Sequence, residues 1–174
     1  AGAAPTITAT KSDALDVDAD GDGKADPGDT LEYTVIISNS GTDAAGVQLD
    51  DVIDANTALI PGSLKVSPVA FNDTYTAVGN VSISVLSDSG LLANDFLGLN
   101  PAATITAYDT ASANGGTVAV DPDGSFTYDP PAGFTGVDTF TYTLGNSTGS
   151  DIGTVTITVS GKVWFINNTS VCAS

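Results

Sequence analysis

Twelve residues near the amino end carry the motif with the most specific chemistry: Asp18-Ala19-Asp20-Gly21-Asp22-Gly23-Lys24-Ala25-Asp26-Pro27-Gly28-Asp29. Counted from Asp18, side-chain oxygens stand at positions 1, 3 and 5, a glycine at 6, a main-chain carbonyl at 7, Asp26 at 9 and Asp29 at 12. This is the ligand spacing of a calcium loop, in which alternate side chains converge on one centre and the glycine lets the chain turn sharply around it. The spacing predicts Asp18, Asp20, Asp22 and Asp29 as side-chain ligands of Ca2+, Lys24 as a main-chain ligand, and Asp26 as a direct or water-bridged one. The rival reading is a solvated acidic turn, since Asp and Gly also fill turns. Against it stands the mutual repulsion of five carboxylates in twelve residues without a counter-ion. Asp29 is shorter than the Glu that usually gives bidentate coordination at that position, and no helix-forming segment flanks the loop. The expectation is therefore a structural ion between strands rather than a helix-loop-helix sensor.

The remaining acids read as turn residues. Asp50, Asp51 and Asp54 cluster after a short apolar run, and Asp73, Asp95, Asp109, Asp123, Asp138 and Asp151 sit beside predicted turns. Of these, Asp95 and Asp138 are a candidate pair for an interdomain ion.

The chain of 174 residues has 21 acidic and 4 basic groups, a formal charge of −17, with only 14% charged residues. Its mean hydropathy is nevertheless positive, which argues against disorder. Twenty of the acids are Asp against the single Glu32, the bases are all Lys, and His and Met are absent. Such a chain cannot neutralise a phosphate backbone or adsorb to anionic lipid, so nucleic-acid binding is excluded as a role. Without His it lacks the commonest general base and zinc ligand. One thiol, Cys172, cannot form an internal disulfide. No catalytic triad, cofactor motif or marked carboxylate pair stands out, so no enzyme is expected. Gly21-Asp22-Gly23-Lys24 has the wrong spacing for a phosphate loop, and the surrounding carboxylates would repel phosphate. No apolar run reaches the roughly 18 residues of a membrane span, and membrane insertion is not expected.

The elements that must position these residues are strands. Thr or Ser alternates with an apolar residue in Thr139 to Leu144 and Thr154 to Val159, the period of half-buried antiparallel strands. Similar runs occur at Thr6 to Thr10, Leu31 to Ser38, Val81 to Val85, Thr104 to Tyr108, Thr117 to Val120 and Ser125 to Tyr128. No helical period is present. Asp121-Pro122-Asp123-Gly124 between two such runs predicts a hairpin. The fold class expected is all-β, two tandem immunoglobulin-like β-sandwich domains with a carboxyl-terminal extra strand. The domains are read as residues 1–67 with the calcium loop, residues 68–160, and residues 161–174 as a strand or the start of a following domain. The first module is small enough that one sheet edge is expected to be completed from elsewhere, with Val163-Trp164-Phe165-Ile166 or Pro5 to Lys11 as donor.

Asp20 to Thr34, Ser38-Asn39-Ser40-Gly41-Thr42 and Ile60-Pro61-Gly62-Ser63 resemble the prokaryotic surface-protein repeat called domain of unknown function eleven. The resemblance, over Asp18 to Pro68, implies an immunoglobulin-like sandwich of large secreted or wall-attached proteins. Residues 69–160 resemble a bacterial cadherin-like or immunoglobulin-like tandem repeat. The similarity rests on Leu91-Leu92-Ala93-Asn94-Asp95, Asn114-Gly115-Gly116-Thr117-Val118, Asp123 to Tyr128, Pro131 to Tyr142 and Val155 to Val159. Where such repeats carry an acidic turn after Asn94-Asp95, this chain has Phe96-Leu97-Gly98-Leu99-Asn100-Pro101, which counts against a calcium site there.

Together these readings predict a non-enzymatic extracellular structural module, an adhesin, stalk or surface-layer spacer stiffened by calcium, secreted or attached to the cell surface. Its partners would be copies of itself or adjacent domains of a larger surface protein. Two alternatives are a filament subunit joined by β-strand donation and a glycan-binding module that uses Trp164, Tyr75, Tyr108, Tyr128 and Tyr142 as a platform.

Overall fold

The computed structural model describes residues 4–42, 44 and 46–164. Cys172, and Phe165 and Ile166 of the aromatic carboxyl-terminal run, lie outside the described residues. The chain divides between Asn56 and Thr57 into two compact units, ahead of the Ser67-Pro68 junction read from the sequence.

The first unit is built on a single antiparallel ladder. Strand β1 (Ile7–Val17) pairs with β2 (Thr30–Asn39) from Ile7 opposite Asn39 to Val17 opposite Thr30, with an irregularity between Leu15 and Val17. Pro5 to Lys11, read as a possible donor strand, is thus largely committed to β1 and its pairing with β2. Among the described residues of this unit there is no second sheet and no fully buried side chain. The physical reason lies in residues 47–54, where Asp50 and Asp51 interrupt the apolar alternation a third strand would need. That segment is instead pinned by a charge: Lys11 Nζ reaches both carboxylate oxygens of Asp51 at 2.8 Å and lies 4.5 Å from the Tyr33 ring centre.

Among its described residues the second unit holds seven strands in two sheets. A four-stranded sheet has the order β3 (Asp73–Gly79), β9 (Ser150–Lys162), β8 (Gly136–Gly145), β5 (Thr104–Tyr108). A three-stranded sheet has the order β4 (Ile83–Val85), β7 (Phe126–Asp129), β6 (Thr117–Val120). All pairs are antiparallel except β3 with β9, which run parallel. Among the described residues the helix content is one short 3-10 turn at Ser87–Ser89, as the absence of a helical period predicts.

The period of two converts directly into a core. Along β8, Asp138, Phe140, Tyr142 and Leu144 turn inward while the intervening threonines face outward; along β9, Val155, Ile157 and Val159 do the same. They meet Val118, Val120, Phe126 and Tyr128 of the other sheet in one apolar cluster. Phe126 sits edge-on to Tyr75 at 4.9 Å and to Phe140 at 5.7 Å, so aromatic contacts bridge the two layers. Gly153 pairs opposite Tyr142, and a Cβ there would overlap the Tyr142 ring, so a glycine makes room for the largest side chain on the neighbouring strand. The predicted hairpin joins β6 to β7: Gly124 donates its N–H to Asp121 C=O at 3.0 Å and takes φ +84°, the left-handed conformation glycine enters most easily.

Of residues 161–174, read from the sequence as a strand or the start of a following domain, 165–174 lie outside the described residues. Gly161 and Lys162 are the end of β9, and Val163 N–H continues the edge by donating to Gly79 C=O at 3.0 Å.

Candidate metal centre

The acidic loop is the connection of the β1–β2 hairpin, and the Val17–Thr30 pair closes its base. Inside it, side chains fold the backbone around themselves. Asp18 accepts N–H bonds from Gly21 at 2.6 Å and Gly23 at 2.8 Å, one on each carboxylate oxygen. Asp20 Oδ1 accepts from Asp22 N–H at 3.2 Å, and Asp22 Oδ1 from Lys24 N–H at 2.8 Å. Gly23 takes φ +77° to allow this path. The N–H groups of Gly23 and Gly21 hold the Asp18 carboxyl below the usual carboxylate range.

One carboxylate oxygen each of Asp18, Asp20 and Asp22 lie within 4.8 Å of one another. Lys24 Nζ stands 3.6 Å from Asp22 Oδ2, on a largely exposed side chain that offsets little of this charge. Asp29 is placed differently: its two oxygens accept the N–H groups of Ala19 at 2.8 Å and Asp26 at 2.9 Å, tying the end of the loop to its start. Asp26 enters through its main chain, its carbonyl also accepting Asp29 N–H at 3.2 Å. The structure therefore groups Asp18, Asp20 and Asp22, and gives Asp26 and Asp29 the task of closing the ring around them. The donor set fits a hard cation: every side-chain donor is oxygen, and an oxygen that accepts one N–H keeps a second lone pair.

Two further carboxylate networks lie in the second unit. Asp138 is fully buried and accepts from Ser112 Oγ at 2.6 Å, Tyr128 hydroxyl at 2.7 Å, and the N–H groups of Asn114 and Thr139, both at 2.9 Å. Burial acts to raise its pKa, but the hydrogen bonds from Ser112, Tyr128, Asn114 and Thr139 outweigh it and hold the carboxyl below its ordinary value. Asp95 belongs to another network, accepting from Phe71 N–H at 2.7 Å and Tyr142 hydroxyl at 2.8 Å. The pair suggested from the sequence thus shares no partner, and Asp138 has its oxygens filled by protein donors. Beside Asp95 lies Asp73, whose pKa burial and then the Asp95 charge push up to about 6. Nothing in the alternation singles out Asp73 or Asp138 as buried acids; their positions at the inward phase of β3 and β8 are the one available signal.

The tyrosines considered as a platform are mostly core: Tyr128 and Tyr142 are buried, and Tyr75 and Tyr108 partly so, while Trp164 is exposed. An open groove of about 530 Å³ between β3 and β4 is lined by Thr74–Thr76, Ile83–Val85 and Thr158 and contains no acid or base. Among the described residues no helix is long and apolar enough to cross a membrane.

Two sheets packed face to face on a shared core, joined by hairpins and closed by a parallel pair of first and last strands, define an all-β unit of the immunoglobulin-like sandwich type. Residues 65–161, more than half of the chain, match the family model of the bacterial cadherin-like domain, and the chain belongs to this family. Membership points to an extracellular adhesion or structural module. The resemblance of Asp18 to Pro68 to a surface-protein repeat rests on its motif residues alone. No curated protein matches the chain significantly.

Proposed function

We propose that the chain is a non-enzymatic extracellular module, a spacer in an adhesin, stalk or surface layer, in which calcium bound by the β1–β2 loop stiffens the first unit. The observation that carries the reading is the convergence of Asp18, Asp20 and Asp22 within 4.8 Å at the tip of a two-stranded ribbon with no buried side chain among its described residues. Such a ribbon is marginal in water, and an ion that binds the folded loop stabilises it by mass action. Asp18, Asp20 and Asp22 would supply side-chain oxygens, with the Lys24 carbonyl and Asp26 completing the shell and Asp29 holding the loop closed. Thermal melts with calcium and with EDTA test this: calcium should raise the melting transition of the first unit and D20N/D22N should erase the difference. A first unit whose melting ignores calcium would sink the reading.

A second reading is favoured by the same ribbon. Ile36 at 60% and Val52 at 89% exposure, with both ladder edges unpaired among the described residues, suit acceptance of a strand from another copy. The remaining donor from the sequence is Val163-Trp164-Phe165-Ile166, of which Phe165 and Ile166 lie outside the described residues. Deleting residues 163–174 should abolish filaments; polymers from the truncated chain would eliminate that donor.

A further inference from the structure

The second unit grips the chain where it enters and where it leaves. On entry, residues 64–69 run beside residues 96–101, a segment with no charged residue. Val66 N–H donates to Leu99 C=O at 3.2 Å, and Val66 C=O accepts Leu99 N–H at 3.1 Å; Val69 and Phe96 exchange the same pair of bonds at 2.9 and 3.0 Å. Side-chain amides reinforce this pairing. Asn100 Nδ2 donates to Leu64 C=O at 2.6 Å, and Asn146 Nδ2 to Val66 C=O at 3.0 Å. Gly98 lets the two backbones approach, since a Cβ on it would overlap Val66 C=O.

On exit, Val163 is held in the same way. Its N–H donates to Gly79 C=O at 3.0 Å, and its C=O accepts Asn80 Nδ2 at 2.9 Å. Asn80 Oδ1 in turn accepts Gly133 N–H at 2.6 Å, which anchors the amide on the loop between β7 and β8. Asn80 and Asn100 both take left-handed backbone, at φ +65° and +52°, a conformation asparagine enters more readily than most residues with a side chain. A glycine would supply the turn without the amide. Val66 and Val163 therefore have both main-chain polar groups bonded, and neither can leave without giving up those bonds. All of these bonds are made by main-chain or carboxamide groups, none by a carboxylate.

We propose that Asn100 with Asn146 at one end, and Asn80 at the other, are two amide clasps that hold the entering and leaving segments on the second unit without an ion. The clasps are independent of the calcium reading of the β1–β2 loop, and a chelator leaves both segments in place. They also account for the division of the chain ahead of Ser67-Pro68, because the clasped residues belong to the body of the second unit.

Lys65 and Lys162 immediately precede Val66 and Val163, so a lysine-specific protease cuts at the clasped bonds only when they open. On the full chain, Lys65 and Lys162 should resist equally in calcium and in EDTA. Cleavage at Lys11 and Lys24 on chelation reads the loop alone, so failure of that reading leaves this one standing. N100D/N146D keeps the side-chain shape and puts an oxygen where each donor stood; cleavage at Lys65 should rise about tenfold or more, with Lys162 unchanged. N80D should do the reverse. Circular dichroism checks that each variant is folded. Hydrogen exchange on the parent gives a measurement that needs no variant: the amides of Val66, Leu99 and Val163 should exchange at least about a hundredfold more slowly than in a free peptide, with or without EDTA. Folded variants cut no faster than the parent, or cut faster at both lysines together, would overturn the clasps. So would parent amides that exchange at free-peptide rates, or cleavage at Lys65 and Lys162 that EDTA accelerates.

Discussion

Tyr128 on β7 donates its hydroxyl to Asp138 on β8 at 2.7 Å, a hydrogen bond that runs from one sheet of the sandwich to the other through a fully buried carboxylate. The apolar core gives the two layers adhesion without direction. This bond, with Ser112 on the same oxygen at 2.6 Å, fixes their register. Y128F keeps the ring and deletes one donor to a charge, so it should cost about 1.5–3 kcal/mol in urea unfolding. A loss below a few tenths would mean that the bond contributes nothing net.

The same carboxylate sets a pH dependence. Its folded pKa is depressed, so its stabilisation is fully present above the unfolded value of about 3.9 and is lost as pH falls through the lower folded value. Unfolding free energies measured on the acid side should fall more steeply for the parent than for D138N. D138N should be the less stable of the two at neutral pH, because its amide cannot accept from every donor now aimed at the carboxylate. Parallel pH profiles for the two chains would contradict this account.

Gly153 is predicted to tolerate no side chain. A Cβ at this position overlaps the Tyr142 ring, which is walled in by the core on its other side. G153A should cost about 1–3 kcal/mol or more, the range for forcing extra carbon into a packed interior. A crystal structure of G153A with Tyr142 unmoved and parent-like stability would refute the argument.

Lys11 and Asp51 provide the opposite case. The pair is short at 2.8 Å, yet both side chains are about two-fifths exposed, at 40% and 43%. D51N should therefore cost no more than about 1 kcal/mol, and less at high salt. A larger effect would show that this contact organises the residues after β2 rather than decorating them.

How much of this was legible in the sequence depended on whether one layer or two covered a strand. Thr104–Tyr108 and Thr117–Val120 coincide with β5 and β6, β8 and β9 contain the alternating runs assigned to them, and β7 overlaps Ser125 to Tyr128 one residue further on, because a two-layer core enforces the inside-outside period. Strand β3 begins at Asp73 and includes Gly79, residues that read as turn formers, so its parallel pairing with β9 had no local signature. In the first unit the alternation of Leu31 to Ser38 did mark β2, but the number of strands beyond it depended on segments where charge breaks the pattern. The Asp18–Asp22 convergence was legible from spacing, since the ligands are neighbours in the chain. The meeting of Asp73 with Asp95 was not, since tertiary packing alone brings them together.

The parallel pairing of β3 with β9 has a mechanical consequence. Partners run from Asp73 opposite Val155 to Gly79 opposite Lys162, so the chain enters this sandwich at one end of the ladder and leaves at the other. Tension along the chain slides the two strands past each other and loads their hydrogen bonds together, whereas a terminal antiparallel pair would peel open one bond at a time. The second unit is wired to resist being pulled.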